Sequence, residues 1–475
     1  MNFTEFSFWW VLMVVGGPLL LLRAGAQRLK VWREAHDPLI LLAVSLVLFW
    51  NASPTSFVIH IVELLINYAV IMSLRYVPRS VGYLLAGFAI ALDVSVLAYF
   101  KYIDFLVRDV LGPFSQTAID ESVLPRLPGL PPGISFYTFQ IIAFMVDTVR
   151  SADREPVGFL DYLNFASFFP LVVAGPIERR ADLLPQMRAF RFGLAPHNLE
   201  TGLRWIALGV FMKFVLADNI ASFIKSADAS NPWLIWSSIY LFGFRIYFDF
   251  AGYSFIALGL GRSLGVTLTS NFMAPYSASS CTEFWRRWHV TLSQWFRDYV
   301  YIRLGGSRVR WVSLNLLVVF VVSGFWHGAG WNYILWGAYH GLLLIISRIL
   351  GRWITVSRVV GWALTFNGAM LGWLLFMETD LRRLTEKVRS LLTLGAYSWG
   401  NLHDAIESYP GVDFMSLLVS VALATAVLLV EGRGTGASRG QAYGLLLTPA
   451  VARALLGLTV LLGARSFSEF VYFAF

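Results

Sequence analysis

Residues 312–346 read VSLNLLVVFVVSGFWHGAGWNYILWGAYHGLLLII, which is two apolar runs joined by a short glycine-rich segment. The first run, 312–326, has 15 residues. At about 1.5 Å per helical residue, such a run is shorter than a hydrocarbon core of about 30 Å. The second run, 331–346, begins almost at once. We therefore expect two membrane helices joined by a tight turn, with His327 at the turn and within the depth of the membrane.

This depth makes His327 a candidate functional residue. Non-helical backbone within a membrane is tolerated only where protein buries it or a cavity is present, and polar groups there commonly serve function. A neutral imidazole in such a site can act as a general base or acid. Two alternatives stay open: a hydrogen-bonded packing histidine, and a metal ligand. The metal alternative has little support because no second histidine or carboxylate follows at ligand spacing, and His340 lies on the other run.

Similar apolar runs recur along all 475 residues. Hydrophobic residues make up 57% and charged residues only 14%, against about 25% in soluble proteins, and the mean hydropathy is +0.64. The candidate spans are 8–22, 38–50, 57–74, 81–100, 133–149, 201–217, 233–259, 312–326, 331–346, 359–376, 414–430 and 443–462. The segment 161–176 is short and ends in Ala-Gly-Pro, so we expect it to be re-entrant. The composition predicts an all-α polytopic integral membrane protein with roughly eleven or twelve crossings, plus re-entrant and interfacial helices.

The basic residues indicate the topology. Residues 1–10 contain Glu5 but no Lys or Arg, and the first basic group, 23–33, follows the first span, which is the opposite of a secretory signal peptide. The positive-inside rule then places the N-terminus outside and 23–33, 179–191, 286–310 and 348–358 in the cytoplasm. The net charge of +8 therefore reflects loops beside the lipid bilayer, and we expect no nucleic acid partner. The larger outside segment, 378–413, contains an amphipathic stretch at 381–392 that predicts an interfacial helix.

The segment EFWRRWHVTLSQWFRDYVYI (283–302) is aromatic and basic. At about 100° per residue, six apolar side chains including Trp288 fall within one quadrant, while Arg286 and Arg287 leave that face. This pattern predicts one cytoplasmic interfacial helix over 281–303, with Trp288 anchored toward the membrane. His289 lies at the edge of the apolar face, where it is either structural or chemically active.

Two further side chains have alternative interpretations. Asp249 lies inside a long apolar run with Arg245 four residues earlier, so the two can form an ion pair, or Asp249 can serve catalysis or the polarity of a tunnel. Cys281 is the only cysteine, which excludes intramolecular disulfides and CxxC pairs. It is either an acceptor for a lipid or acyl group or an inert buried thiol.

Several motifs carry a family resemblance. They are FDFAGYS (248–254), EFWRRWH (283–289) with WFRDYVYI (295–302), and SGFWHGA (323–329), preceded by PGISFYTFQ (132–140) and FPLVVAGPI (169–177). At these residues the sequence resembles the membrane-bound O-acyltransferase (MBOAT) family, in its bacterial branch. LGGSR (304–308) and the ending FVYFAF (470–475) are similar to the alginate O-acetylase type. AGYSF (251–255) is similar to the related teichoic acid D-alanyl transfer type.

The resemblance implies a single polytopic domain over 1–475 with its acyltransferase core at 130–350. In the family, helices form a ring around a thin centre, with a cytoplasmic entrance for the donor. His327 corresponds to the catalytic histidine of the family and His289 to its second recurrent histidine, on the donor side. Donor-binding or tunnel positions would be Arg286, Arg287, Trp288, Trp326 and Asp249.

The implied activity is transfer of an acyl group, expected to be acetyl, from a cytoplasmic thioester to an exported polysaccharide such as alginate. Acetyl-CoA or an acyl carrier protein would be the donor substrate, with no bound cofactor or metal. The expected partner is a periplasmic SGNH-hydrolase-like acetyltransferase, and the expected location is the bacterial inner membrane. D-alanyl transfer, a transporter or flippase for a lipid-linked intermediate, and a scaffold for polysaccharide export are the alternatives. A transporter would more often show inverted repeats, and none is evident in the sequence.

Overall fold

The structure, a computed structural model, describes residue 3 and residues 5–31, 33–114, 130–151, 156–192, 195–224, 230–409, 411–434 and 442–463. Every regular element in these ranges is helical, so the all-α prediction is confirmed. The C-terminal motif at 470–475 lies outside the described residues.

Seven helices in the described part of the chain are long and apolar enough to cross a membrane. They are Phe6–Arg28, Pro54–Ser73, Arg79–Phe114, Pro232–Ser263, Trp331–Leu350, Arg358–Met377 and Phe414–Gly434. Three shorter apolar helices are Asp37–Ala52, Val312–His327 and Pro449–Leu462. The candidate spans at 133–149 and 201–217 also form helices, but these are not among the ten. The chain is therefore a multi-pass membrane protein, and its described residues contain ten apolar helices toward the eleven or twelve expected crossings.

The chain forms two compact units. The first comprises Met1–Ile206 and Ile256–Thr269. Its further helices include Ile134–Arg150, Phe159–Ser167, Arg180–Arg188 and most of Pro196–Val210. The segment predicted to be re-entrant forms the nine-residue helix Phe159–Ser167 and then a buried irregular stretch. Gly133 lies against that stretch with a φ of 84°, and a Cβ there would lie 2.6 Å from the carbonyl oxygen of Val172, so both the conformation and the contact require glycine.

The second unit comprises Ala207–Phe255 and Ser270–Phe475. Its other helices include Cys281–Arg287, Val290–Phe296, Leu381–Leu392, Trp399–Glu407 and Gly411–Gly434. Helix Leu381–Leu392 confirms the helix predicted at these positions, and the Asp380 side chain caps its first turn. Helix Pro232–Ser263 belongs to the second unit up to Phe255 and is buried over most of its length.

Helices Val312–His327 and Trp331–Leu350 form the predicted hairpin. Glycines let their backbones touch. A Cβ at Gly324 would lie 2.2 Å from the carbonyl oxygen of Tyr333, and one at Gly337 would lie 2.3 Å from that of Phe320. His327 is the last residue of the first helix, so the hairpin determines where its imidazole points.

The prediction of one continuous helix over 281–303 is wrong. Two helices, Cys281–Arg287 and Val290–Phe296, are separated by His289, which has a left-handed backbone with φ 42° and ψ 57°. The cause is a tertiary contact with Asn271. Its carbonyl oxygen accepts from Val290 N at 2.9 Å, and its Oδ1 accepts from Thr291 Oγ1 at 2.6 Å. The backbone donor of Val290 therefore bonds outside the helical ladder, and the chain turns at His289.

Candidate active site

Aromatic rings surround His327, which is 5% exposed at the end of its helix. Its ring centroid lies 5.0 Å from Trp336, 5.5 Å from Phe376 and 5.0 Å from Trp326. Rings packed edge to face in this way restrict the rotation of the imidazole. The surroundings are therefore those of a positioned, weakly solvated histidine.

His289 is 1% exposed and packs edge-on against Phe250 at 4.7 Å. Burial lowers the pKa of His289 to about 3, so its imidazole is neutral at pH 7. Its left-handed backbone is costly for a residue with a Cβ, and such strained residues cluster at functional sites. The Trp326 ring lies 6.3 Å from the His289 ring and also contacts His327, so one indole lies beside both histidines.

A cavity of about 1080 Å³ in the second unit brings most of the predicted site residues together. Both histidines line it, with Arg286, Arg287 and Trp288. Its other basic lining residues are Arg297 and Arg348, which the sequence analysis did not single out. Arg297 belongs to the motif WFRDYVYI (295–302), and Arg348 belongs to a basic segment predicted to be cytoplasmic. Neither pattern distinguishes a cavity residue from the other basic residues around it. Asp249 and Trp326 are not among the lining residues.

The two adjacent arginines have different surroundings. Arg287 forms an ion pair with Glu283 and donates to Ser277 Oγ at 2.6 Å. Arg286 lines the cavity and forms no hydrogen bond or ion pair with a described residue. Arg287 therefore braces the chain around the site, while the Arg286 guanidinium is available to a ligand in the cavity.

Asp249 does not pair with Arg245, so that prediction is wrong. Lys213 Nζ lies 2.8 Å from Asp249 Oδ1 and 2.8 Å from Asp218 Oδ1, and all three side chains are buried. Gly252 lies one turn from Asp249, and its missing side chain makes this contact possible. A Cβ there would lie 2.8 Å from the carbonyl oxygen of Gly209 and 3.1 Å from Lys213 N. The triad links two helical segments and offsets the cost of burying its charges, which is a structural role.

Trp288 is not a membrane anchor. It is 1% exposed and packs inside the protein, stacked on Phe284 at 5.7 Å and tilted against Trp373 at 4.8 Å. The prediction that Trp288 faces the membrane was based on one straight helix over 281–303. Because the helix breaks at His289, this side chain points into the protein. Trp288 therefore forms part of the cavity wall.

Cys281 begins the helix that leads to Arg287. Burial raises the pKa of its thiol, which keeps the sulfur protonated and poorly nucleophilic. This environment favours the inert thiol over an acyl acceptor.

Comparisons with known proteins agree on one family. The family model described as MBOAT, membrane-bound O-acyltransferase family, matches residues 2–377. The chain is 32% identical over 407 residues to the peptidoglycan O-acetyltransferase of Helicobacter pylori, covering 78% of this chain and 75% of that protein. It is 32% identical over 411 residues to the probable alginate O-acetylase AlgI of Pseudomonas putida, covering 81% and 83%. With the teichoic acid D-alanyltransferase of Bacillus subtilis the identity is 28% over 270 residues, covering 51% and 68%.

Proposed function

The chain belongs to the membrane-bound O-acyltransferase family and is a multi-pass membrane acyltransferase, and we propose that it moves an acetyl group from a cytoplasmic thioester across the membrane for the O-acetylation of an exported polysaccharide. The observation that carries this proposal is the cavity that both His289 and His327 line, together with arginines. In one enclosed space, the cavity provides a histidine base that can deprotonate the acceptor hydroxyl. It also provides arginine side chains that can bind an anionic donor.

The names of the relatives favour acetyl over D-alanyl. The two acetylases match about four fifths of the chain, whereas the D-alanyltransferase matches about half. Alginate and peptidoglycan, the acceptors named for those two acetylases, are both carbohydrate polymers. We therefore assign the acceptor to the class of sugar hydroxyls on a polymer outside the cell.

In the proposed reaction, the acceptor oxygen attacks the thioester carbonyl carbon while His327 removes the hydroxyl proton. The carbon–sulfur bond then breaks, an ester forms, and the proton passes from His327 to the departing thiolate. A positioned general base typically contributes about 10²–10⁴-fold to the rate. Neutral His289 donates a hydrogen bond to the thioester carbonyl, where negative charge develops during attack.

The donor is an anionic thioester, either acetyl-CoA or an acyl carrier protein with its phosphopantetheine arm. Arg286, Arg297 and Arg348 line the cavity and suit phosphate groups, which planar guanidinium groups bind through paired hydrogen bonds. All three lie in segments that the positive-inside rule assigns to the cytoplasm. The proposed location is the bacterial inner membrane, with a periplasmic SGNH-hydrolase-like partner completing transfer to the polymer.

Identifying the acyl group that is esterified to the extracellular polysaccharide tests the assignment of acetyl transfer. Cells that lack the gene are complemented with the wild type or with His327→Ala, and mild alkali releases the ester-linked acids from the extracellular polysaccharide for mass spectrometry. We expect acetate from wild-type cells and its loss with His327→Ala. Release of D-alanine would contradict the acetyl assignment. Unchanged esters in the gene deletion itself would favour a transporter or scaffold.

A further inference from the structure

A polar stripe runs along one membrane helix of the first unit. Helix Pro54–Ser73 presents His60, Glu63 and Asn67 at spacings of three and four residues, and all three side chains are buried. Glu63 lies near the middle of this candidate span, and Asp93 lies near the middle of the neighbouring helix Arg79–Phe105. Two carboxylates thus occupy the interior of the unit at mid-membrane depth.

Asn67 joins the two acidic residues. Its Nδ2 donates to both carboxylate oxygens of Asp93, at 2.9 and 3.2 Å, and to the backbone carbonyl of Glu63 at 2.9 Å. Neither carboxylate oxygen of Glu63, which is 2% exposed, has a hydrogen-bond partner among the residues that the structure describes. The hydroxyls of Tyr137 and Tyr162 are also buried and form no hydrogen bond within the described part of the chain, and both lie within electrostatic range of the two carboxylates.

No described Lys, Arg or His forms an ion pair with Glu63 or Asp93. The charged groups on the packed helices are engaged elsewhere. Asp37 pairs with Arg23, Asp161 with Arg188, Lys101 donates to Ser135 at 3.2 Å, and His60 Nε2 bonds Ser167 at 3.1 Å. Asp93 is the charged group that acts on Glu63. Two adjacent negative charges without a cation are very costly in a low-dielectric interior, and one proton removes most of that cost.

We propose that Glu63 and Asp93 form a proton-binding site within the membrane that shares no residue with the histidine cavity. The pair holds one proton and exchanges it. Asn67 stabilises Asp93 as the carboxylate, so the proton resides on Glu63.

Infrared spectroscopy of the purified full-length protein tests this site. A protonated carboxyl group has a carbonyl stretching band that shifts in D₂O and disappears on ionisation. In the wild type we expect such a band at neutral pH that decreases as the pH rises. The difference spectrum between wild type and variant cancels the bands of other buried glutamates such as Glu178, and in it Glu63→Gln should remove one band and Asp93→Asn should shift or remove the same band. Asp104→Asn is the control, because Asp104 lies on the same helix as Asp93 but is largely exposed beside Arg108, and it should leave the band unchanged.

Should a Glu63 variant fail to fold, labelling the glutamate side chains of the Glu178→Gln protein with ¹³C assigns the band to a buried glutamate other than Glu178. Absence of a glutamate carboxyl band at neutral pH would overturn the proposal, since both groups would then be ionised. Stabilisation of the wild type by NaCl over choline chloride that Glu63→Gln abolishes would likewise overturn it, by assigning the pair to sodium.

Discussion

His289 combines three properties in one residue: a left-handed backbone, near-complete burial and a place on the cavity wall. Asparagine tolerates the left-handed conformation better than most residues and is smaller than histidine. We therefore expect His289→Asn to keep the fold but to lower the rate of thioester consumption roughly tenfold or more, because the imidazole is lost. Melting temperature and initial rate, measured on the same preparation, separate the two effects. A normal rate in a folded variant would leave His289 with a structural role only.

Arg286 and Arg287 allow a comparison of neighbours. Lysine keeps the charge but loses the planar paired contact. We expect Arg286→Lys to raise the KM for the donor roughly tenfold with little change in melting temperature, since a charge-assisted contact contributes about 1.5–3 kcal/mol. Arg287→Lys should instead lower the melting temperature, because one ammonium cannot hold both Glu283 and Ser277 in the same geometry.

Initial rates against donor concentration for the two variants test this difference. An unchanged KM in Arg286→Lys would refute donor recognition by that residue.

Both histidines that line the cavity were candidates from the sequence alone, because each lies within a recognisable local motif. The partner of Asp249 was missed because Lys213 is distant in the sequence and approaches only across Gly252. Glu63 and Asp93 were missed for the same reason, since they lie within separate apolar runs and meet only after the helices pack.

The hairpin depends on Gly324. In Gly324→Ala the new methyl group would meet the backbone of Tyr333, which cannot move away as a flexible side chain would. We expect a loss of roughly 1–3 kcal/mol in stability and a displaced His327. Gly457→Ala is the matched control, because it also lies within an apolar helix and its Cβ would meet nothing within 4 Å. Thermal unfolding in detergent measures both. If Gly324→Ala and Gly457→Ala had equal melting temperatures, the two helices of the hairpin would accommodate the methyl group without loss of stability.

Glu178 makes one loop of the first unit sensitive to pH. Thr269 N donates to Glu178 Oε1 at 2.6 Å, and burial raises the pKa of the carboxyl from 4.5 to about 7. A raised pKa stabilises the fold at low pH, and this contribution is lost as the pH rises through about 7, by an amount on the order of 3 kcal/mol. The melting temperature of the wild type should therefore fall as the pH rises from about 4.5 to about 7.

Glu178→Gln keeps the acceptor for Thr269 and removes the titration, so its melting temperature should depend less on pH over this range. An equal dependence in both proteins would show that Glu178 is not responsible.

Among the helices, two apolar runs around a glycine-rich turn predicted the hairpin, and apolar residues at helical spacing predicted helix Leu381–Leu392. The same periodicity failed at 281–303, where Asn271 bonds the backbone and breaks the helix. A contact with a residue outside the segment cannot be predicted from the spacing of the apolar residues within it.

For the whole molecule, composition was sufficient to predict an all-α polytopic membrane protein, because 14% charged residues cannot cover a water-exposed surface of this size. The division into two units was not predictable in this way, since helix Pro232–Ser263 contributes to both and gives no composition break. The cavity also depends on packing within the second unit, which brings His289, His327 and Arg348 together from separate segments of the chain.

The most direct test measures how fast the purified, membrane-reconstituted protein removes the acetyl group from its thioester donor. Acetyl-CoA or acetylated acyl carrier protein is supplied on the side of the basic loops, and release of the free thiol is timed for the wild type, His327→Ala and His340→Ala. His340 is the matched control, because it is a buried histidine packed against Trp336 that does not line the cavity. We expect the wild type to release thiol, His327→Ala to release it about 10²–10⁴-fold more slowly, and His340→Ala to keep the wild-type rate per folded molecule. Undiminished release by folded His327→Ala would show that His327 is not the general base.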